Sequence, residues 1–248
     1  MKDIEKQNLY IVMPAYNEEE NIDTVAREWH EVVKKIGNDS KLVIVNDGSK
    51  DSTFEKLQEL QKELPCLVPL TKPNGGHGDT VLYSYKYALD HNADFIFQTD
   101  SDGQTLPSEF DEFWNQRNDH SAIIGHRKGR EDGFSRIIVT KTLKFVLLLI
   151  FHLKITDANT PYRLIKREVL EKYYPMIPEH FNLSNVMLTV LLIDNKEDVV
   201  FKPITFRPRQ GGVNSINFKK ITKIGIQAVK DFRKIRKTQK ENKKQRKI

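Results

Sequence analysis

Cysteine is nearly absent from this chain: Cys66 is the one thiol in 248 residues, so no intrachain disulfide can form. Long apolar runs are missing too. The most hydrophobic segment, Leu143 to Leu153, is interrupted by Lys144 and His152 and falls far short of the roughly 20 residues that span a bilayer, so it reads as a buried helix or as a membrane-dipping one with an apolar surface, and a polytopic membrane protein is not expected. Met1 to Tyr10 carries Asp3 and Glu5 and no apolar h-region, so nothing signals secretion and a cytoplasmic protein is expected. No G-x-G-x-x-G follows the first apolar run, which argues against a nicotinamide-dependent dehydrogenase, and no glycine-rich, arginine-containing loop stands there either, which argues against a nucleotidyl-transferring pyrophosphorylase.

What is present is ordinary in amount and uneven in distribution. With 38% hydrophobic and 30% charged residues the chain has the composition of a folded protein rather than a disordered one. Its formal charge of +6 comes from 40 basic and 34 acidic groups. Residues 219 to 248 hold 13 basic against 2 acidic groups, a net +11, which leaves 27 basic and 32 acidic groups, a net −5, in residues 1 to 218. We therefore divide the sequence into a mildly acidic body, 1–218, and a basic tail, 219–248.

Apolar runs and helical stripes alternate through the body. Leu9 to Met13 reads as a buried strand closed by Pro14, and Ile22, Val25, Trp29, Val32, Val33 and Ile36 as one face of a helix stopped by Gly37. Leu42 to Val45, Cys66 to Leu70, Asp94 to Thr99 and Ala122 to Gly125 read as further strands. Ser52 with Glu55 suggests a capping box ahead of a second helix, and Val81 to Leu89 a third. Beyond them the expected elements are helices over Ile137 to Leu153, Arg167 to Tyr173 and Leu183 to Ile193 and a strand over Val199 to Ile204, with Pro161 in an irregular stretch. The alternation implies an α/β fold, a mostly parallel sheet flanked by helices, whose ligands bind beyond the carboxyl ends of the strands.

The unusual residues fall at those ends. Asp100-Ser101-Asp102, before Gly103 and Gln104, sets two carboxylates and an amide oxygen on one turn. Hard divalent cations favour such oxygens, and Mg²⁺ or Mn²⁺ held there with open positions can bridge a diphosphate; a solvated surface turn has the same composition. Asp47 follows another strand, where its carboxylate either meets a base or ribose or caps the Asn46-Asp47-Gly48-Ser49 turn. His77 and His126 have no metal-ligand spacing and read as loop residues.

Taken together, Pro14-Ala15-Tyr16-Asn17-Glu18, Val45 to Thr53 with its Asn-Asp-Gly-Ser-Lys-Asp-Ser core, Asn74-Gly75-Gly76-His77-Gly78 and the Asp100 to Gln104 turn resemble, in order, the motifs of the family-2 inverting glycosyltransferases with the GT-A (Rossmann-like) fold. The resemblance covers about residues 8 to 215 and leans toward the dolichol- and polyprenyl-phosphate sugar transferases. It implies a UDP- or GDP-sugar donor held by Pro14, Ala15, Tyr16, Glu18, Asp47, Gly78 and Asp100, and a Mg²⁺ or Mn²⁺ ion at Asp100, Asp102 and Gln104. Gln104 matches the polyprenyl-phosphate branch, as do Gly125-His126-Arg127, Asp157 to Arg163 and Arg209 to Ser215. On that likeness Asp102, Arg127, Asp157, Arg163 and Arg209 are the catalytic candidates, and Arg127, Arg163, Arg209 and Ser215 hold an acceptor phosphate.

Several positions depart from the pattern. Asn46 stands for the first of two Asp residues, His77 for a Lys, and Pro161 for the Gly before Tyr162-Arg163; Gly211 to Ser215 carries an insertion. Phe181 to Asn185 lacks the acidic pair that relatives acting on sugar hydroxyls use as a base. A phosphate monoester is already an anion and needs no such base, so a lipid-phosphate acceptor is expected; Glu179, Asp157 and Asp194 remain as possible bases for transfer to a sugar hydroxyl in polysaccharide or glycolipid synthesis. A non-catalytic, membrane-associated scaffold of the same fold is the third reading.

In the tail, Ile221, Ile224, Ala228, Phe232 and Ile235 recur at helical spacing among Lys and Arg, which describes a basic amphipathic helix. It either docks on the acidic body or lies on an anionic membrane, making the protein peripheral at the inner face; with a single aromatic, Phe232, and no recognition motif, nucleic acid is not an expected partner.

Overall fold

The computed structural model describes residues 6–127, 134–208 and 227–237, with side chains described throughout except at 134–141. Seven strands, β1 (Leu9–Ala15), β2 (Lys41–Asn46), β3 (Leu67–Thr71), β4 (Phe95–Gln98), β5 (Ala122–Arg127), β6 (Arg163–Lys166) and β7 (Val199–Ile204), form one sheet in the order β3-β2-β1-β4-β6-β5-β7. Four of its ladders are parallel, and β6 alone runs antiparallel, to both β4 and β5. Every residue of β1 is buried, which is why the strand reads as one apolar run rather than an alternation. Pro69 and Pro203 fall in β3 and β7, the two edge strands, where a missing N–H costs no ladder bond.

Helices α1 (Ile22–Ile36), α2 (Thr53–Glu63), α3 (His77–Asp90), α4 (Phe110–Asn115), α6 (Arg167–Tyr173) and α7 (Ser184–Asp194) accompany this sheet, and α5 (Phe134–Phe151) belongs elsewhere. The buried stripe of α1 includes Trp29, whose ring lies 5.4 Å from Phe97 of β4 and 6.3 Å from Phe110 of α4. Phe97 in turn meets Phe110 at 4.8 Å and Tyr162 at 4.7 Å, edge to face, and Phe113 meets Tyr162 at 4.9 Å. This cluster ties α1, β4, α4 and the approach to β6 together under the carboxyl end of the sheet. From Ser184 to Leu192 α7 is buried on every side, consistent with a sequence that is apolar all round.

Two local expectations change. Ser52 does not cap α2: its N–H and hydroxyl both go to Glu19 Oε2, at 3.1 and 3.0 Å, while Asp51 Oδ1 accepts from the Thr53 N–H at 3.1 Å. The charged acceptor one residue earlier outcompetes the hydroxyl. The irregular stretch after Pro161 contains β6, and α4 fills the span after Pro107; neither has a run long enough to stand out in the sequence.

The chain separates into two compact units, residues 1–129 with 157–212, and residues 130–156 with 213–248. The first holds the whole sheet. The second holds α5 and a helix over 227–237, so the boundary drawn from charge at residue 218 does not coincide with the boundary drawn from packing. Within it Phe232 is fully buried, edge-on to Phe151 at 5.7 Å, and the Arg236 guanidinium lies 5.6 Å over the Phe151 ring. Ala228 is buried with them, as the helical stripe anticipates; Ile221 and Ile224 lie outside the described residues. Among the described residues no helix is long and apolar enough to cross a membrane.

Replacing Phe97 by Ala removes the ring shared by Trp29, Phe110, Phe113 and Tyr162, and is expected to cost about 3–5 kcal/mol. Denaturant unfolding measures it; a loss below about 1 kcal/mol would show that the cluster is not the packed centre of the sheet unit.

Candidate active site

The site begins where two neighbouring strands stop pairing. The β1 and β2 ladder continues to Ala15 opposite Asn46, but β1 and β4 pair only as far as Val12 opposite Gln98. Beyond that point β4 turns away into Asp100–Gln104 and leaves the end of β1 unpaired on that side. Pro14 tolerates this because it has no N–H to lose, and its carbonyl accepts the Ser101 hydroxyl at 2.8 Å across the gap. Tyr16, just past β1, is 38% exposed at the rim, while Ala15 and Glu18 are buried. Glu18 accepts from the Asn21 amide at 2.8 Å, and its carbonyl takes the N–H groups of Asn21 and Ile22. These contacts open α1.

The turn itself is braced from outside. Gln104 donates Nε2 to the Arg207 carbonyl at 3.0 Å and receives the Arg207 N–H on its own carbonyl at 2.9 Å, which fixes the amide. Asp102 Oδ1 accepts the Gln104 N–H at 3.1 Å, and Asp100 Oδ1 lies 2.9 Å from His77 Nε2. Partial desolvation opposes charge on the half-exposed His77 ring, but Asp100, Asp102 and Asp47 outweigh it and hold its pKa above the usual 6.5. Among the described residues no three His, Cys, Asp or Glu side chains form a closed metal cage. Two carboxylates and an amide oxygen are donors of the kind that Mg²⁺ or Mn²⁺ takes.

Asp47 is 3% exposed and already engaged. Its Oδ1 accepts from Lys72 Nζ at 2.7 Å and from the Gly75 N–H at 2.9 Å, and its Oδ2 from the Gly76 N–H at 2.9 Å. Lys72 also pairs with Asp79 at 2.8 Å, and Asp79 with His180 at 2.7 Å. Burial opposes the Lys72 charge, yet the two carboxylates prevail and raise its pKa; Asp79 is shifted down because Lys72 and His180 together exceed its own desolvation. This chain of charges fastens the β3–α3 loop to the segment before α7. Gly78 belongs to the same junction: a Cβ there would collide with the Phe181 and Asn182 carbonyl oxygens. Sequence reasoning missed Lys72 and Asp79, since an ion pair between loops has no periodic signature.

On the opposite side of the sheet end, Arg127 at the close of β5 pairs with Asp157 at 3.2 Å and stacks 5.0 Å over the Phe206 ring. Arg163 is different from what the sequence suggested. It is fully buried, and it spends its guanidinium on the Thr160 carbonyl through Nε at 3.1 Å and Nη2 at 2.7 Å, on Ala158 O at 3.3 Å, and on Asn185 O and Thr189 Oγ1 at 3.1 and 3.2 Å. It cannot meet a phosphate in this structure; it pins the Asp157–Thr160 loop to α7. Arg209 and Ser215 lie outside the described residues.

No acidic residue occupies the first turn of α7. Ser184 Oγ and both ends of the Asn185 amide are buried there without a protein partner. Of the three carboxylates kept as possible bases, Asp157 is paired with Arg127, Asp194 closes α7 about 15 Å along the helix from Ser184, and Glu179 is exposed ahead of it.

Against this geometry the comparisons agree. The model of the family described as Glycosyl transferase family 2 matches residues 10–174. The polyprenol monophosphomannose synthase of Mycolicibacterium smegmatis is 26% identical over 220 residues, covering 85% of this chain and 82% of that protein. A UDP-N-acetylglucosamine–dolichyl-phosphate N-acetylglucosaminyltransferase of Methanococcus voltae is 25% identical, covering 66% of this chain and 71% of its own length. An undecaprenyl-phosphate 4-deoxy-4-formamido-L-arabinose transferase of Pectobacterium atrosepticum is 24% identical over 75% of this chain, which spans 59% of that relative. Among solved structures, glucosyl-3-phosphoglycerate synthase from Mycobacterium tuberculosis, in complex with Mn²⁺, UDP and glucosyl-3-phosphoglycerate, superposes with a TM-score of 0.67 at 16% identity, over 90% of this chain and 77% of that one. That likeness establishes the GT-A fold.

The burial of Arg163 yields a test. Arg163→Met strips five hydrogen bonds from carbonyl and hydroxyl oxygens that stay buried, and is expected to destabilise the chain by at least about 3 kcal/mol in denaturant unfolding. An unchanged midpoint would return Arg163 to the surface and to phosphate binding.

Proposed function

The chain belongs to glycosyl transferase family 2, and we propose that it transfers a sugar, with inversion, from a UDP- or GDP-sugar to a polyprenyl phosphate at the inner face of a membrane. The observation that carries this reading is the pairing of an Asp100, Asp102 and Gln104 turn suited to a divalent cation with a first turn of α7 that has no carboxylate. Relatives named for polyprenyl- and dolichyl-phosphate acceptors support it, and so does a fold neighbour crystallised with Mn²⁺ and UDP.

Asp100, Asp102 and Gln104 would hold Mg²⁺ or Mn²⁺, which supplies neutralisation of the diphosphate charge as the nucleotide leaves. Pro14 to Tyr16 border the gap beside that turn and offer the donor a backbone edge and the Tyr16 ring. Asp47, Gly78 and Glu18 serve the donor indirectly, by holding the β3–α3 loop and the start of α1 in place. An acceptor phosphate oxygen attacks the anomeric carbon opposite the nucleoside diphosphate; the new carbon–oxygen bond forms as the bond to the diphosphate breaks, and no proton has to be removed. We assign Arg127, kept oriented by Asp157 and the Phe206 ring, to fix that phosphate by charge-assisted hydrogen bonds, with Arg209 and Ser215 as further contacts.

Transfer to a short-chain polyprenyl phosphate and to a soluble sugar acceptor, with each donor and Mn²⁺, distinguishes the acceptors. Asp102→Ala is expected to lower turnover at least about 100-fold while the unfolding midpoint holds. Glu179→Gln is expected to keep turnover within about twofold, because no general base is required. Transfer confined to the sugar hydroxyl, with an inactive Glu179→Gln, would contradict the lipid-phosphate reading.

A further inference from the structure

Three consecutive residues after β7 reach both halves of the site. The Thr205 N–H is received by both carboxylate oxygens of Glu109, at 3.0 Å each, which fixes where the chain leaves the sheet. Phe206 is half-buried and carries the Arg127 guanidinium 5.0 Å over its ring. Arg207 goes instead to the turn after β4. Besides its backbone exchange with Gln104, its side chain donates Nε to the Gly103 carbonyl, and its Nη2 lies 3.1 Å from Glu28 Oε2 on α1.

Gly103 is the pliable point of that turn. It stands between Asp102 and Gln104 at φ 70°, in the left-handed region, with no side chain to restrict it. Asp100 and Asp102 carry like charge on either side of Ser101, and a small hard cation is held well only where such oxygens converge to within about 0.5 Å of its geometry. An arginine with one arm on the Gly103 carbonyl and another on a carboxylate of α1 supplies the missing restraint. Its planar guanidinium ties the peptide between Gly103 and Gln104 to a helix that packs against the core, which a single ammonium has no fork to do.

We infer that Arg207 is a positioning residue for the cation turn and Phe206 a positioning residue for the phosphate arginine, so that one short strap, pinned at Thr205 by Glu109, sets both halves of the site from outside. Neither side chain meets donor or acceptor itself. Arg207 acts through Gly103 and Gln104, with Glu28 holding its far side, and Phe206 acts through Arg127. Because the two residues serve different groups, damage to one should register on the nucleotide and damage to the other on the acceptor. The inference rests on the transfer reading and deepens it.

The test reads two quantities on the full chain: the affinity for UDP and for GDP with Mn²⁺ present, by calorimetry, and the KM for short-chain polyprenyl phosphate at saturating donor and Mn²⁺. Arg207→Met is expected to weaken the Mn²⁺-dependent nucleotide affinity at least about fivefold while the acceptor KM stays within about twofold, and Phe206→Leu is expected to do the reverse, each with an unchanged circular dichroism spectrum. Arg207→Lys keeps the charge without the fork and should lose at least about threefold in nucleotide affinity, which decides the point if the methionine variant fails to fold. Wild-type nucleotide affinity in the Arg207 variants, a wild-type acceptor KM in Phe206→Leu, or equal losses of both quantities in both variants would overturn the inference, the last by marking 205–207 as a segment of general structural importance. A wild-type chain whose nucleotide binding ignores Mn²⁺ removes the cation reading and the role of Arg207 with it. One that binds nucleotide with Mn²⁺ but transfers to no polyprenyl phosphate removes the acceptor reading and the role of Phe206, and the nucleotide titrations still decide Arg207.

Discussion

Where β4 parts from β1, after Val12 opposite Gln98, the sheet changes from scaffold to site. A parallel sheet buried on both faces must keep its backbone paired, and the proline at position 14 is what allows β1 to run on without a partner on one side. The gap receives the Asp100–Gln104 turn, and the Ser101 hydroxyl on the Pro14 carbonyl holds its edges together. Below it the Trp29, Phe97, Phe110 and Tyr162 rings fill the space that the diverging strands would otherwise leave hollow.

Around this gap the ionic groups divide into those that build and those that remain for chemistry. Asp47, Lys72 and Asp79, with His180, join loops to one another, and the Arg163 guanidinium is taken up by carbonyl and hydroxyl oxygens. A lone buried guanidinium would be ruinous; five hydrogen bonds to oxygen acceptors make it a structural pin. Gln104 and Arg127 are each fixed at one end by the protein while remaining suited to a ligand at the other. That division supports our proposal of a cation at the Asp100–Gln104 turn and an acceptor phosphate on the Arg127 side.

The sheet was legible in the sequence because its strands are apolar runs ended by turn residues, and β1, β2, β3, β4, β5 and β7 are where those runs lie. The order of motifs made the family legible as well. What was not legible lacks a local pattern. β6 is four residues opened by an arginine, and only the surrounding carbonyls make that arginine a core residue. For the same reason Arg163 read as a surface cation: a sequence states that a charge exists, not what has been folded around it. The pairing of Lys72 with two carboxylates spans three segments and is invisible until they meet. The basic tail was legible in its periodicity, but that its apolar stripe faces α5 depends on Phe151, which periodicity alone does not single out.

All of this rests on the turn after β4 being a cation-dependent diphosphate site. Calorimetric titration of UDP and of GDP into the full chain, with Mn²⁺ and after chelation, examines that point before any acceptor is involved. At least one nucleotide should bind with Mn²⁺ present and lose at least about tenfold in affinity without it, as expected where the cation bridges carboxylate and diphosphate oxygens. Equal affinity with and without the metal would contradict the account, and would make the Asp100–Gln104 turn a structural feature of the sheet end.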